Sequence, residues 1–216
     1  MRTAALFSGG KDSTYAIYLA QQSGLSPSCL VSAIPTKDSW MFHVPNLHLT
    51  PLLSKLMGIP LVRIPTGTKR RELADLTNGL RPLPVDGLIH GAIASDYQKS
   101  RIDLMCEELG WRGFAPLWQK NPEKMWREFL NAGFRAIVVG VAAEGLDAPW
   151  LGREIDDQAI DDLIALRERY GIHLSGEGGE YETLVIDGPN FLRPLIVRSW
   201  EKSWDGMRGS LKIRAR

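Results

Sequence analysis

Ser8-Gly9-Gly10-Lys11-Asp12-Ser13 is the stretch on which the reading of this chain turns. It follows an apolar run at residues 3–7 and precedes a helical pattern at residues 12–22, so it joins a strand to a helix. Two adjacent glycines let the backbone turn sharply and approach a ligand with no Cβ in between. The amides that follow open a helix, where unpaired N–H groups and the dipole favour an anion. Lys11 adds a positive charge, and the Ser8 and Ser13 hydroxyls can donate to phosphate oxygens. Asp12 suits a bound Mg2+ or the favourable charge position of a first helical turn. The loop lacks the four-residue spacer of a Walker A motif. The plainer alternative is a Gly-Gly turn with a polar helix start, and the strand before it favours the phosphate reading.

Outward from this loop, short apolar runs at residues 30–34, 60–64 and 87–93 alternate with helical patterns at 47–57, 69–78 and 95–109. Strands alternating with helices of that length predict βαβ units and a parallel sheet covered on both faces. The pattern changes beyond residue 118. Helices are expected at 122–131 and 156–170, an almost wholly apolar strand at 136–142, and strand-like pieces at 181–186, 195–199 and 210–214. Their alternation suits a more antiparallel sheet. The chain is therefore read as α/β: a parallel-sheet domain over residues 1–118, and a smaller C-terminal α+β domain over 119–216.

The 216 residues can bury a core without disulfides. The net charge of +1 and a pI near 7.8 give no global field toward nucleic acid or membrane. Cys29 and Cys106 form no CxxC and have no zinc-type spacing with the histidines, which fits a reducing compartment. The phosphate-type loop arrives too early for a secretory h-region, and no run of 18 apolar residues occurs. A soluble cytoplasmic protein that does not bind nucleic acid directly is the expectation.

The loop at 8–13 resembles the SGGxDS signature of the PP-loop ATP pyrophosphatases, whose fold is HUP-like, of the adenine nucleotide alpha hydrolase kind. Further stretches narrow the resemblance: Met41-Phe42-His43-Val44-Pro45-Asn46, residues 91–101 (GAIASDYQKSR), Ala115-Pro116-Leu117-Trp118, and residues 176–183 (GEGGEYET). From residue 3 to about 191 the chain is similar to the diphthine–ammonia ligase, or diphthamide synthetase, family. That resemblance implies that ATP, with Mg2+, adenylates the carboxylate of diphthine on translation elongation factor 2. Ammonium then displaces AMP to give diphthamide, and a homodimer stays open. A glutamine-hydrolysing apparatus would need an activated cysteine near a histidine. Cys29 enters a strand and Cys106 lies in a helix, so free ammonium is the simpler nitrogen source.

Amidation by ammonium requires a cation to be captured and deprotonated, work for carboxylates in a partly dry cleft. Glu177, Glu180 and Glu182 offer them, with Gly178 and Gly179 permitting close approach, although a solvated acidic turn is the plain alternative. Lys11 and Arg101 are the candidate catalytic cations. Arg101 would stabilise charge on the α-phosphate or, on the duller reading, make a surface ion pair. Ser8, Gly9, Gly10, Lys11, Asp12, Ser13, His43, Ser95 and Gln98 are expected on the nucleotide, and Asp12 is the candidate Mg2+ ligand. Asp96 fits a metal or a helix cap, and Asn46 goes with His43. Trp118, Tyr181 and Tyr97 could cage a trimethylammonium group, or several of these rings could simply be core. Glu182 and Tyr181 are expected on the substrate, whereas His48, His90 and His173 are read as structural. The alternatives are amidation of another small carboxylate, a tRNA-modifying PP-loop enzyme, and a nucleotide-binding module without catalysis.

Overall fold

The computed structural model describes residues 1–35, 45–68 and 70–216. Its first half is a five-stranded sheet of β1 (Thr3–Leu6), β2 (Pro27–Pro35), β3 (Leu61–Thr66), β4 (Gly87–Ile89) and β5 (Arg112–Phe114), ordered β3-β2-β1-β4-β5. Every neighbouring pair is parallel. From β1 the chain crosses to β2 on one side, while β4 lies on the other. The order therefore reverses at β1, and a crevice opens at the carboxyl ends of β1 and β4, where ligands bind in open α/β sheets.

The helices begin and end where side chains dictate. Helix α1 (Lys11–Gln22) starts directly after Gly10, whose backbone is extended. A 3-10 turn (Leu47–Leu49) precedes α2 (Thr50–Met57). The single helix expected over 47–57 is split there, with Pro51 in the first turn of α2, where a missing N–H costs nothing. After α3 (Glu72–Leu80) comes α4 (Asp96–Leu109), capped by the Ser95 hydroxyl, which accepts from the Gln98 amide at 3.3 Å, and closed by Gly110 at φ +71°. The strand expected over 87–93 stops at Ile89. The His90 amide still donates to the Phe114 carbonyl at 2.9 Å, and the chain then turns into α4. β5 went unforeseen because three largely exposed residues, Arg-Gly-Phe, carry no alternation.

The second half holds α5 (Pro122–Asn131), β6 (Arg135–Val141), α6 (Asp157–Tyr170), β7 (Tyr181–Asp187), β8 (Val197–Trp204) and β9 (Gly209–Ala215). Its sheet, ordered β7-β6-β9-β8, is antiparallel throughout. Six consecutive residues of β6 are buried, which explains its unbroken apolar run. Residue 118, where the sequence suggests a boundary, falls between β5 and α5. One hydrophobic core joins the two sheets, from Ala5, Phe7 and Ile17 to Trp126, Phe129 and Val138. In it the Tyr15 ring meets Phe129 edge-on at 5.6 Å, and Phe129 stacks on Phe134 at 4.8 Å. A second core under the other face of the parallel sheet holds Ala4, Val31, Leu76 and Ile102. Among the described residues no helix is long and apolar enough to cross a membrane.

Candidate active site

A cavity of about 350 Å³ occupies the crevice. The loop after β1 forms one wall, the 90–92 turn after β4 another, and the glycine-rich 176–179 stretch with Tyr181 and Glu182 a third. Gly9 sits at φ +83°, the left-handed region that glycine adopts freely. Its carbonyl accepts from the Val185 amide of β7 at 2.9 Å. The antiparallel sheet thus holds the phosphate-type loop from behind.

Not all the amides of that loop are free. The Lys11 amide donates to Thr183 Oγ1 at 3.2 Å, and the Gly10 amide to Ser8 Oγ at 3.3 Å. The amides of Asp12 and Ser13, at the first turn of α1, have no acceptor among the described residues. Ser8 Oγ and Ser13 Oγ lie 3.2 Å apart beside them. An anion at this helix end would therefore meet two amides and the Ser8 hydroxyl, with the Ser13 hydroxyl joining only by turning from the Gly10 carbonyl, to which it donates at 3.2 Å. Gly91 permits the geometry. A Cβ there would stand 2.6 Å from the Asp12 carbonyl carbon and 2.8 Å from the Ser13 nitrogen.

Lys11 is turned inward. Its Nζ donates to Asp12 Oδ2 at 2.9 Å and to the Ser175 carbonyl at 2.5 Å, and sits over the Trp126 and Tyr181 rings at 5.6 and 5.4 Å. Burial opposes its charge, but Asp12, with Tyr181 and Glu182 nearby, holds the ammonium protonated beyond its ordinary range. Asp12 Oδ1 is buried with no partner. Tyr181 is fixed in turn: its hydroxyl donates to the Leu174 carbonyl at 2.6 Å and accepts from Trp126 Nε1 at 3.1 Å.

The three glutamates part company. Glu177 lines the cavity and accepts at one oxygen from the Ala94 and Ser95 amides, at 3.2 and 2.9 Å, pinning the glycine-rich loop to the start of α4. Glu180 lies outside the cavity lining. Its oxygens accept from the His173 amide at 2.9 Å and the Gly178 amide at 2.8 Å, so it closes the loop on itself. Glu182 lines the cavity, and burial pushes its carboxyl up to about 7, with Asp12 adding to the shift and Lys11 opposing it. A carboxyl poised there can exchange protons near neutral pH.

Other expected residues are placed as follows. Gln98 lines the cavity. Ser95 caps α4, and Asp96 is an exposed first-turn acid. Arg101 lies outside the lining, with its guanidinium 3.4 Å from the centroid of the exposed Tyr97 ring. Trp118, also outside the lining, stands under Lys99 Nζ at 5.3 Å. Of the three aromatics expected to cage a cation, Tyr181 alone lines the cavity. Asn46 bridges to β9, donating to the Leu211 carbonyl and accepting from the Ile213 amide, both at 2.8 Å. His43 lies outside the described residues. Among the described residues no group of three or more His, Cys, Asp or Glu could hold a metal.

His90, read from the sequence as structural, lies in the site. Its side chain is in the cavity wall, 2% exposed, and neither ring nitrogen has a hydrogen-bond partner. Burial pushes its pKa down to about 4, so the ring is neutral. A lone histidine at a strand end carries no motif; the signal lay in its place beside Gly91.

A parallel sheet reversing at β1, with a two-glycine loop at its carboxyl edge, defines an α/β protein with a ligand crevice at its switch point. The domain model described as Diphthamide synthase N-terminal domain matches residues 1–113, and Diphthamide synthase C-terminal domain matches 121–216. The chain belongs to the diphthamide synthase family. It is 36% identical to a human protein named diphthine–ammonia ligase, over 93% of this chain and 84% of that one. The bovine protein of that name is 35% identical over the same shares. The fission yeast Schizosaccharomyces pombe protein of that name is 30% identical over 93% of this chain and 37% of its own length.

Proposed function

We propose that this chain is an ATP-dependent ligase forming a C–N bond, which converts the carboxylate of diphthine on a protein to the amide, with translation elongation factor 2 as the carrier. A diphthine carboxylate oxygen attacks the α-phosphorus of ATP and pyrophosphate leaves, giving an acyl adenylate. Ammonia attacks the acyl carbon, and AMP leaves with the electrons of the acyl–oxygen bond. The observation that carries this reading is the facing of two loops across one cavity. The Asp12 and Ser13 amides with the Ser8 hydroxyl hold phosphates on one side, and the Glu177 and Glu182 carboxylates handle ammonium on the other.

Glu182 is the group to take the proton as ammonium becomes ammonia, since its carboxyl sits near 7 and it lines the cavity. Glu177 holds the loop closed over the α4 N-terminus, and Glu180 shapes that loop. The unpartnered Asp12 Oδ1 fits Mg2+, which takes one or two carboxylates and fills its remaining positions with phosphate oxygens and water. When bound, the ion neutralises phosphate charge. Lys11 then serves less as a direct phosphate contact than as the buried cation that fixes Asp12.

The test incubates the protein with ATP, ammonium and diphthine-bearing elongation factor. The expected products are AMP and pyrophosphate in equal amounts, with one carboxylate per factor converted to amide by intact mass. Formation of ADP, or AMP release that ignores the factor, would overturn the reading.

A further inference from the structure

The cavity lining mixes polar and apolar side chains. Its Leu6, Val31, Ala33 and Ile102 pack together in the core under one face of the parallel sheet, and His90 and Gln98 are among its polar members. Such a lining suits a flat aromatic ring flanked by a few fixed polar groups. His90 is buried, neutral and unpaired at both nitrogens. A buried polar group left without a partner is unfavourable, so the imidazole favours any ligand that completes its hydrogen bonding. The charged groups facing it are Lys99 and Asp103 of α4, already bonded to each other.

We infer that His90 is a specificity residue that reads the base of the nucleotide, its imidazole hydrogen-bonding to the 6-amino/N1 edge of adenine in this cavity. This rests on the ATP reading above. A phosphate would not choose this place, because an uncharged ring among aliphatic side chains offers it little. A ribose, with its polar rim, belongs away from those aliphatic side chains. A single imidazole nitrogen can reach the base, so its share is one hydrogen bond, worth about tenfold in affinity.

Calorimetric titration measures this apart from turnover. ATP, purine riboside triphosphate (no 6-amino group), the 1-deaza analogue of ATP (no N1) and 2′-deoxy-ATP are titrated into the wild type, His90→Phe and His90→Asn. Thermal melting confirms that each variant is folded. His90→Phe should bind ATP about tenfold more weakly, and His90→Asn should regain part of that. The wild type should discriminate against one of the two base-edge analogues by a similar factor, and His90→Phe should lose that discrimination. Equal ATP affinity in wild type and a folded His90→Phe overturns the inference. So does a loss of the same size for all four ligands, or one coupled to the 2′-hydroxyl. A wild type that binds no ATP overturns the ATP reading itself, a distinct result.

Discussion

Gly91→Ala should separate the two loops that flank the crevice. The added Cβ would stand 2.6 Å from the Asp12 carbonyl carbon and 2.8 Å from both the Asp12 oxygen and the Ser13 nitrogen, where ordinary contact begins near 3.4 Å. The obstacle is backbone on the first turn of α1, so no rotamer relieves it. The β4–α4 turn or the head of α1 must move by about 0.8 Å, the difference between 3.4 and 2.6 Å. Overpacking of this kind costs about 1–3 kcal/mol, a fall in melting temperature of roughly 2–12 °C for a chain of this size. The functional cost should be larger in proportion. A displacement near 1 Å in a positioned site can lower rate on the order of a hundredfold, and here it falls on the Asp12 and Ser13 amides themselves. Gly113→Ala is the control, because its Cβ would meet Asp103 Oδ1 at 3.3 Å and Cys106 Sγ at 3.7 Å, well away from that loop. The assay is melting temperature beside ATP affinity and AMP formation for both variants. A Gly91→Ala protein with wild-type melting and wild-type ATP affinity would refute the close-approach argument.

Three further substitutions test the site. Glu182→Gln should leave adenylation intact and slow amide formation; at fixed total ammonium, the wild-type rate of that step should rise with pH to a plateau through a midpoint near 7, and the variant should lose that midpoint. The same carboxyl links stability to pH. Its folded pKa lies above the unfolded value of 4.5, so the folded state binds more protons between 4.5 and about 7 and stability falls as pH rises through that window; Glu182→Gln should therefore melt higher relative to wild type at pH 8 than at pH 4.5, and no such difference would remove the buried-carboxyl assignment. Lys11→Met should destabilise the fold by about 1–3 kcal/mol by stranding the Asp12 carboxylate, less than full burial would cost because that side chain reaches solvent, and an unchanged melting temperature would contradict the pinned lysine. Tyr181→Phe removes one hydrogen bond to Leu174 and one from Trp126 and should cost about 1 kcal/mol with little change in AMP formation, whereas a collapse in activity would give the hydroxyl a chemical role.

The sequence made the parallel sheet legible because Ser8–Ser13 and the βαβ rhythm are local signals. β6 showed itself as an apolar run because it is buried on both faces. β5 was hidden, being three residues long and largely exposed, and the end of β4 was hidden because the turn after it is held by distant partners, Glu177 at the Ala94 and Ser95 amides and the Gln119 amide at the Ile93 carbonyl. The site was legible as a set of motifs rather than as contacts. That Gly176–Glu182 meets Ser8–Ser13 could be guessed from the glycines, but which glutamate faces the cavity depends on backbone amides at His173, Gly178, Ala94 and Ser95. No spacing rule supplies those partners. Lys11 likewise read as a phosphate contact until the burial of Trp126 and Tyr181 and the Ser175 carbonyl placed it inward. Arg101 and Trp118 match motifs in sequence, yet one rests on Tyr97 and the other under Lys99, because side-chain direction on α4 is decided by packing that a one-dimensional pattern does not record.

The most direct trial of the chemistry is isotope exchange of labelled pyrophosphate into ATP, with ammonium left out. The account predicts label in ATP only when diphthine-bearing elongation factor is added, because the acyl adenylate must form and reverse before nitrogen arrives. Label entering ATP without the factor, or no exchange with factor that is fully modified to diphthine, would contradict it.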